Sequence, residues 1–293
     1  MQNRPVNEVP GLSPLHRTAF SAAALRAAHT LRGAEPRIFC DDLAMALADM
    51  TEGEIVSLSG RVPPASASTC ILRSRFAEDR LSSARHRLKQ YVVLGAGLDS
   101  YALRMGERLA ELQVYEVDDP NFQTWKQRRI ATLGMSLPHQ LHFVPCDFET
   151  VTLAAALAEH GFLPTEPCFI SWLGVTQYLT AAAVRATLEW AATRPSGSEL
   201  VLTFLDTNAQ SAALKVSMAT TGVEVLSTFT SGENDRHAPR RGVQLHRAPD
   251  GGRGQREIFQ ISLRRTDGAA NSVPGCRLRL GRPPRRFVSK AAM

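Results

Sequence analysis

Residues 90–100, QYVVLGAGLDS, predict a buried strand that runs into a tight turn and then into a helix. The first residues are apolar, β-branched or aromatic, as in strands of a sheet covered on both faces. Gly95 and Gly97 let the backbone turn sharply and approach a ligand closely, and the first amides of the next helix would point at that ligand. Asp99 could cap this helix or accept a hydrogen bond from the ligand. A GxG turn alone is a weak signal, so its meaning depends on the strands around it.

A second buried strand is predicted at 111–120, where ELQVYEVDDP ends in a cluster of acids. In a doubly wound sheet this strand end lies beside the glycine turn, and a carboxylate there can accept the hydroxyl protons of a ribose. Glu116 or Asp118 is the candidate for that contact. The alternative is a solvated strand end that caps the next helix, which is expected to begin at Asn121.

Three further strands alternate with helices. LHFVPCDF at 141–148 predicts a third strand that ends just before Asp147, which is placed to receive the exocyclic amine of an adenine with Phe148 against the ring. CFISWLGVTQYLT at 168–180 predicts a fourth strand, and ELVLTFLD at 199–206 predicts a fifth. Alternating strands and helices indicate an α/β fold, with a mostly parallel sheet and helices on both faces.

The turn also distinguishes between nucleotide cofactors. The dinucleotide fingerprint requires a third glycine at position 100 for close packing of the helix, and this chain has Ser100 there. Together with acids after the second and third strands, this favours an adenosyl cofactor without a pyrophosphate over NAD.

From about Thr18 to Gly222 the chain resembles the leucine carboxyl methyltransferase family, in particular its bacterial branch of class I S-adenosyl-L-methionine-dependent methyltransferases. The resemblance rests on several of the family's motifs and on the aspartate after its third strand. In this chain they are Arg73-Ser74-Arg75 with Asp79, the turn Gly95 to Ser100 with Arg104, Glu116 to Pro120 with Lys126, Asp147, and the segment Leu173 to Leu179.

The resemblance implies S-adenosyl-L-methionine as the cofactor and a Rossmann-like sheet of order 3-2-1-4-5-7-6. It implies that an arginine such as Arg73 binds the methionine carboxylate, that Asp118 binds the ribose and that Asp147 binds the adenine. One departure is Leu173, where the family often has a glutamate near the methionine end of the cofactor. A leucine cannot accept a hydrogen bond from the ammonium group, although a backbone group of Gly95 or Ser171 could replace the glutamate.

The expected reaction is methyl transfer to a carboxylate or hydroxyl oxygen of an unidentified acceptor, either a small molecule or a carboxylate-bearing group. A sulfonium methyl group is already activated, so the reaction needs an aligned nucleophile more than an acid or a base. The sequence identifies no catalytic residue; Tyr178 could assist a hydroxyl, although packing is its simpler role. Two alternatives stay open: a relic that binds cofactor without activity, and a protein that binds nucleic acid through a basic tail.

The chain divides into three expected parts. The Ala-rich stretch 18–32 and DDLAMALADM at 41–50 predict a helical lid, and RVPPASASTC at 61–70 is interpreted as a flexible connection because of its prolines and small polar residues. We therefore expect an N-terminal helical extension over 1–70 and a cofactor-binding domain over 71–231, followed by a tail over 232–293.

The tail over 232–293 is basic, irregular and rich in Gly, Pro and Arg. It has 14 Lys or Arg and 5 Asp or Glu, so it accounts for more than the whole net charge of +6. Few aromatic residues accompany these charges, which argues against nucleic-acid binding. Because its pattern departs from the family, we hypothesise a frameshift near 222–232; an unambiguous genomic read in the present frame would refute this. IFQISL at 258–263 alternates well enough to serve as a replacement edge strand.

The remaining features of the chain give expectations of location and assembly. No long apolar run or basic-then-apolar N-terminus occurs, so we expect a cytoplasmic protein without membrane association. The five cysteines lack the spacing of zinc ligands, and no metal site is expected. A monomer or a weak dimer is the expected state.

Overall fold

The strand predicted within 90–100 lies in the middle of a seven-stranded sheet. The computed structural model describes residues 12–207 and 209–229, together with the backbone of two strands in the tail. The strands are β1 (Gln90–Leu94), β2 (Gln113–Asp118), β3 (Leu141–Pro145), β4 (Cys168–Trp172), β5 (Glu199–Phe204), β6 (Val243–Arg247) and β7 (Glu257–Leu263).

The order of strands across the sheet is β3-β2-β1-β4-β5-β7-β6. The strands β1 to β5 pair in parallel, whereas β7 is antiparallel to β5 and β6 is antiparallel to β7. This confirms the α/β class, the Rossmann-like architecture and the order implied by the family resemblance. The order reverses direction between β1 and β4, which is where ligands bind in sheets of this kind.

The expectation of an irregular tail is wrong for two stretches, because β6 and β7 form the antiparallel end of the sheet. IFQISL lies within β7 but is not an edge strand, since β7 pairs on one side with β5 and on the other with β6. Alternation indicated a strand at IFQISL, whereas the Gly- and Pro-rich surroundings concealed the short alternating stretch of β6. The rest of the tail lies outside the described residues, and the frameshift stays a hypothesis.

Helices cover the sheet, and the first four of them precede β1 in the chain. They are α1 (Arg17–Arg32), α2 (Ala44–Leu47), α3 (Glu52–Ser59), α4 (Pro64–Ala84), α5 (Tyr101–Met105), α6 (Pro120–Thr132), α7 (Leu153–Ala158), α8 (Ala181–Ala192) and α9 (Ala209–Ala219). Within the described part of the chain, no helix is long and apolar enough to cross a membrane.

The flexible connection expected at 61–70 is wrong, because α4 already begins at Pro64. Proline is well suited to the first turn of a helix, where its missing N–H would have no partner within the helix in any case. The boundary expected between residues 70 and 71 therefore falls inside a continuous helix. As a result, α4 reaches from the N-terminal helices to the sheet.

Two apolar clusters form the core, one on each face of the sheet. Every residue of β1, β4 and β5 is buried, as expected for parallel strands that helices cover on both sides. A third cluster joins Phe20 and Ala24 of α1 to Ile55 of α3 and Phe122 of α6. The N-terminal helices therefore pack against the α/β domain through apolar contacts.

A buried ion pair strengthens the attachment of α1. The Arg26 Nε donates to Asp41 Oδ2 at 2.7 Å, and Asp41 Oδ1 accepts from Ser100 Oγ at 2.7 Å. Although burial opposes the ionisation of Asp41, the guanidinium groups of Arg26 and Arg104 lower its pKa. Both charges of the pair are thus compensated within the protein, which a buried charge requires.

We predict that Arg26→Ala lowers the free energy of unfolding by about 3–5 kcal/mol, because it leaves the Asp41 carboxylate buried without its main counter-ion. Urea denaturation followed by circular dichroism measures this loss. Arg32→Ala is the matched control on the same helix, since the Arg32–Glu52 pair is 58% exposed on both sides and should contribute less than about 1 kcal/mol. Equal losses in the two variants would contradict the structural role given to Arg26.

Candidate functional site

A cavity of about 860 Å³ opens at the carboxyl edge of the parallel strands. Its wall includes the turn after β1, the ends of β2 and β3, the segment after β4, and faces of α1, α4 and α9. This volume lies in the upper part of the range of roughly 300–1,000 Å³ that small-molecule sites occupy. The cavity can therefore contain a nucleoside-sized ligand and part of a second molecule.

The glycine turn forms the floor of the cavity between β1 and α5. The amide of Gly95 donates to the carbonyl of Val117 at 2.8 Å, which joins the turn to β2. Gly95 has a φ of +66°, and a Cβ at this position would overlap the side chain of Val175. A glycine is thus required here by both backbone conformation and packing. Ala19 of α1 lies on the other side, where its Cβ would be 3.0 Å from a Cβ added at Gly97.

Two buried cations bind the next two carbonyl groups of the turn. The Arg26 Nη2 donates to the carbonyl of Leu98 at 2.6 Å, and the Lys126 Nζ donates to the carbonyl of Asp99 at 2.7 Å. Arg26 comes from α1, whereas Lys126 comes from α6. The turn is therefore fixed from two helices that are remote in sequence.

Glu116 does not line the cavity, although it was one of two candidates for the ribose contact. Glu116 lies two residues before the end of β2. Its Oε2 is 2.5 Å from the Lys126 Nζ, and both side chains are only 1% exposed. Burial raises the pKa of Glu116 to about 7, and the Lys126 ammonium group opposes that rise. Its observed contact is with the cation that binds the turn.

Asp118 is the acid that reaches the cavity from the end of β2. Its Oδ2 accepts from the amide of Gly97 at 2.5 Å, and its Oδ1 accepts from the amide of Asp119 at 2.7 Å. Burial raises the pKa of Asp118, and these two amides oppose the rise. Each carboxylate oxygen has a further lone pair for a ligand hydroxyl.

The other acidic candidates also line the cavity, each with a structural contact of its own. Asp99 precedes Ser100, the N-cap of α5, and its Oδ1 accepts from the amide of Tyr101 at 2.8 Å. Asp147 follows β3 and accepts from the amide of Glu149 at 3.0 Å. Phe148 is half-buried against the core and lines the same wall.

Arg73 is the buried cation of the cavity wall on α4. Its guanidinium group lies against Gly174, where an added Cβ would overlap the Arg73 Nη1. Arg75, two residues further along α4, points away and binds Asp79 through Nε at 2.7 Å. Leu173 lines the cavity and packs against the core cluster beside β1, so no carboxylate occupies this position.

We predict that Gly174→Ala destabilises the protein more than Gly161→Ala. Both glycines have a positive φ, +77° and +80°, so each alanine incurs about 1–2 kcal/mol of backbone strain. Only Gly174→Ala also displaces the Arg73 guanidinium, because nothing lies within 4 Å of a Cβ at Gly161. An excess of about 1 kcal/mol or more in urea denaturation is expected. Equal losses would show that the contact with Arg73 imposes no constraint.

The cavity also has an apolar wall near Tyr178, formed by residues that sequence analysis did not select. Leu214 and Met218 of α9 and Val62 before α4 give it an apolar wall, and the Tyr178 hydroxyl lies 4.0 Å from the Met218 sulfur. Only the helical spacing of α9 could have indicated such a wall. Among the described residues, no group of His, Cys, Asp and Glu side chains could bind a metal ion.

Sequence comparison gives the family. A model described as leucine carboxyl methyltransferase matches residues 19–192, which include the glycine turn, Arg73, Asp118 and Asp147. The chain belongs to the leucine carboxyl methyltransferase family. The match begins after the first residues of α1 and ends with α8.

Two relatives are named "Putative S-adenosyl-L-methionine-dependent methyltransferase". YktD of Bacillus subtilis is 38% identical over 119 residues, which are 40% of this chain and 39% of that protein. The relative from Parafrankia sp. is 31% identical over 185 residues, which are 58% of this chain and 56% of that protein. The chain thus matches about two fifths to just over half of the length of these relatives.

A solved structure has the same fold. A DUF574 family protein from Streptomyces avermitilis aligns with 83% of this chain and 97% of its own, with a TM-score of 0.53 and 14% identity. At this identity the similarity supports the α/β architecture alone.

Proposed function

We propose that the protein binds S-adenosyl-L-methionine and transfers its methyl group to an oxygen atom of an acceptor. The observation that carries this proposal is a single cavity that contains the glycine turn, Asp118, Asp147 and Arg73. Family membership supports the same assignment, and both relatives above carry this cofactor in their names.

The chemistry of the cavity wall suits each part of the cofactor. The turn at Gly95 and Gly97 permits close approach of a ligand, and the Asp118 carboxylate can accept hydrogen bonds from ribose hydroxyls. Asp147 and Phe148 would contact the adenine, and Arg73 offers a buried cation to the methionine carboxylate. Leu173 offers the ammonium group no acceptor, so another group of the wall, such as a backbone carbonyl or the Asp99 carboxylate, would bind it.

The acceptor would bind at the apolar end of the cavity beside α9. The cofactor supplies an activated methyl group, so the protein's task is to align the nucleophile and exclude water. A carboxylate acceptor would need no general base, whereas a hydroxyl acceptor could use Tyr178, whose hydroxyl faces the Met218 sulfur. Carboxylate and hydroxyl acceptors are therefore both compatible with these side chains.

Asp118→Asn should weaken the binding of S-adenosylhomocysteine by roughly 10- to 100-fold, because hydrogen bonds to a charged group contribute about 1.5–3 kcal/mol each. Isothermal titration calorimetry on both proteins measures this change. Glu111→Gln is the matched control, since this exposed acid precedes β2 at the opposite end and pairs with Lys89. Absence of binding by folded wild-type protein would contradict the proposed cofactor site, and unchanged binding in Asp118→Asn would contradict the ribose contact.

The protein, incubated with a metabolite extract and ¹³C-methyl S-adenosylmethionine, should form a product that carries the labelled methyl group on an oxygen atom. The carbon chemical shift of the product distinguishes a methyl group on oxygen from one on nitrogen, carbon or sulfur. Alkaline hydrolysis then separates the two acceptors, because a methyl ester releases methanol and a methyl ether does not. Cofactor binding without transfer to any acceptor would identify an inactive relic, and a product labelled on nitrogen would contradict oxygen transfer.

A further inference from the structure

His16 lies at the ribose end of the cavity, just before α1. It closes the short 3₁₀ turn Pro14–His16, and its side chain is 12% exposed. Its ring centroid is 5.0 Å from that of Phe122 on α6, and its ring also lines the cavity that Asp118 enters. Two aromatic rings from different helical segments therefore flank the end of β2.

The hydrogen bonds of the ring define its tautomer. The amide of Ser13 donates to His16 Nδ1 at 3.0 Å, so Nδ1 is the acceptor nitrogen and the ring proton is on Nε2. The Ser13 hydroxyl, 3.3 Å away, also lies on the Nδ1 side. This arrangement directs an N–H donor away from the turn and toward the end of β2.

That donor has only a weak contact within the described protein. His16 Nε2 is 3.5 Å from Asp119 Oδ1, which is at the outer limit of hydrogen-bond distance. The same carboxylate oxygen already accepts from the amides of Asn121 and Phe122 as the cap of α6. The Nε2–H group can therefore donate to a ligand without breaking a strong bond.

We propose that His16 binds the ribose of the cofactor by donating from Nε2 to a hydroxyl oxygen, while Asp118 accepts a hydroxyl proton. The inference rests on the proposed function. A vicinal diol has both donors and acceptors, so one carboxylate and one N–H group satisfy it more completely than a carboxylate alone. His16 precedes residues 19–192, the part of the chain that matches the family model, so the match assigns it no role.

The test compares S-adenosylhomocysteine with its 2′-deoxy and 3′-deoxy analogues by isothermal titration calorimetry. His16→Phe preserves a ring beside Phe122 but removes the N–H donor. It should weaken binding of S-adenosylhomocysteine about 3- to 10-fold, as expected for loss of one neutral hydrogen bond. For the analogue that lacks the contacted hydroxyl, wild type and His16→Phe should bind equally.

Glu111→Gln is again the control, because this exposed acid lies at the other end of β2 and pairs with Lys89. It should bind all three ligands as the wild type does. The same loss of affinity for all three ligands in His16→Phe would overturn the proposal and indicate a purely structural contact. Unchanged affinity for S-adenosylhomocysteine would also overturn it. Failure of the wild type to bind S-adenosylhomocysteine would instead refute the proposed function itself.

Discussion

The site depends on the way two buried cations bind consecutive carbonyl groups of the glycine turn. Arg26 and Lys126 donate to the carbonyls of Leu98 and Asp99, and each also pairs with a buried acid, Asp41 or Glu116. The amide of Gly97 in the same turn donates to Asp118, which lines the cavity.

This constraint makes the N-terminal helix part of the binding site. The helix α1 supplies Arg26 to the turn and places Ala19 against Gly97, while His16 precedes it at the end of β2. A substitution in α1 can therefore alter the floor of the cavity without contacting the ligand. Coupling of this kind is expected where a buried charge network joins two elements, because removing one partner leaves another charge uncompensated.

Local patterns predicted the five parallel strands, the glycine turn and the acids at the strand ends. The strand, the GxG turn and the acids at strand ends are each contained in a few residues, so alternation and turn chemistry were sufficient to find them. Arg26 could not be found in this way, since it binds a carbonyl 72 positions away. Glu116 and Asp118 share a face of β2 by alternation, and only the packing of α6 determines which is covered. Pro63 and Pro64 predicted a loop instead of the start of α4, because prolines favour loops and first helical turns alike.

A crystal structure of the protein soaked or grown with S-adenosylhomocysteine tests this account most directly. The account predicts adenosine density between the glycine turn and the end of β3, with the ribose at Asp118 and the amino-acid carboxylate at Arg73. Density for the ligand elsewhere, or an empty cavity at a ligand concentration that saturates binding in solution, would contradict it.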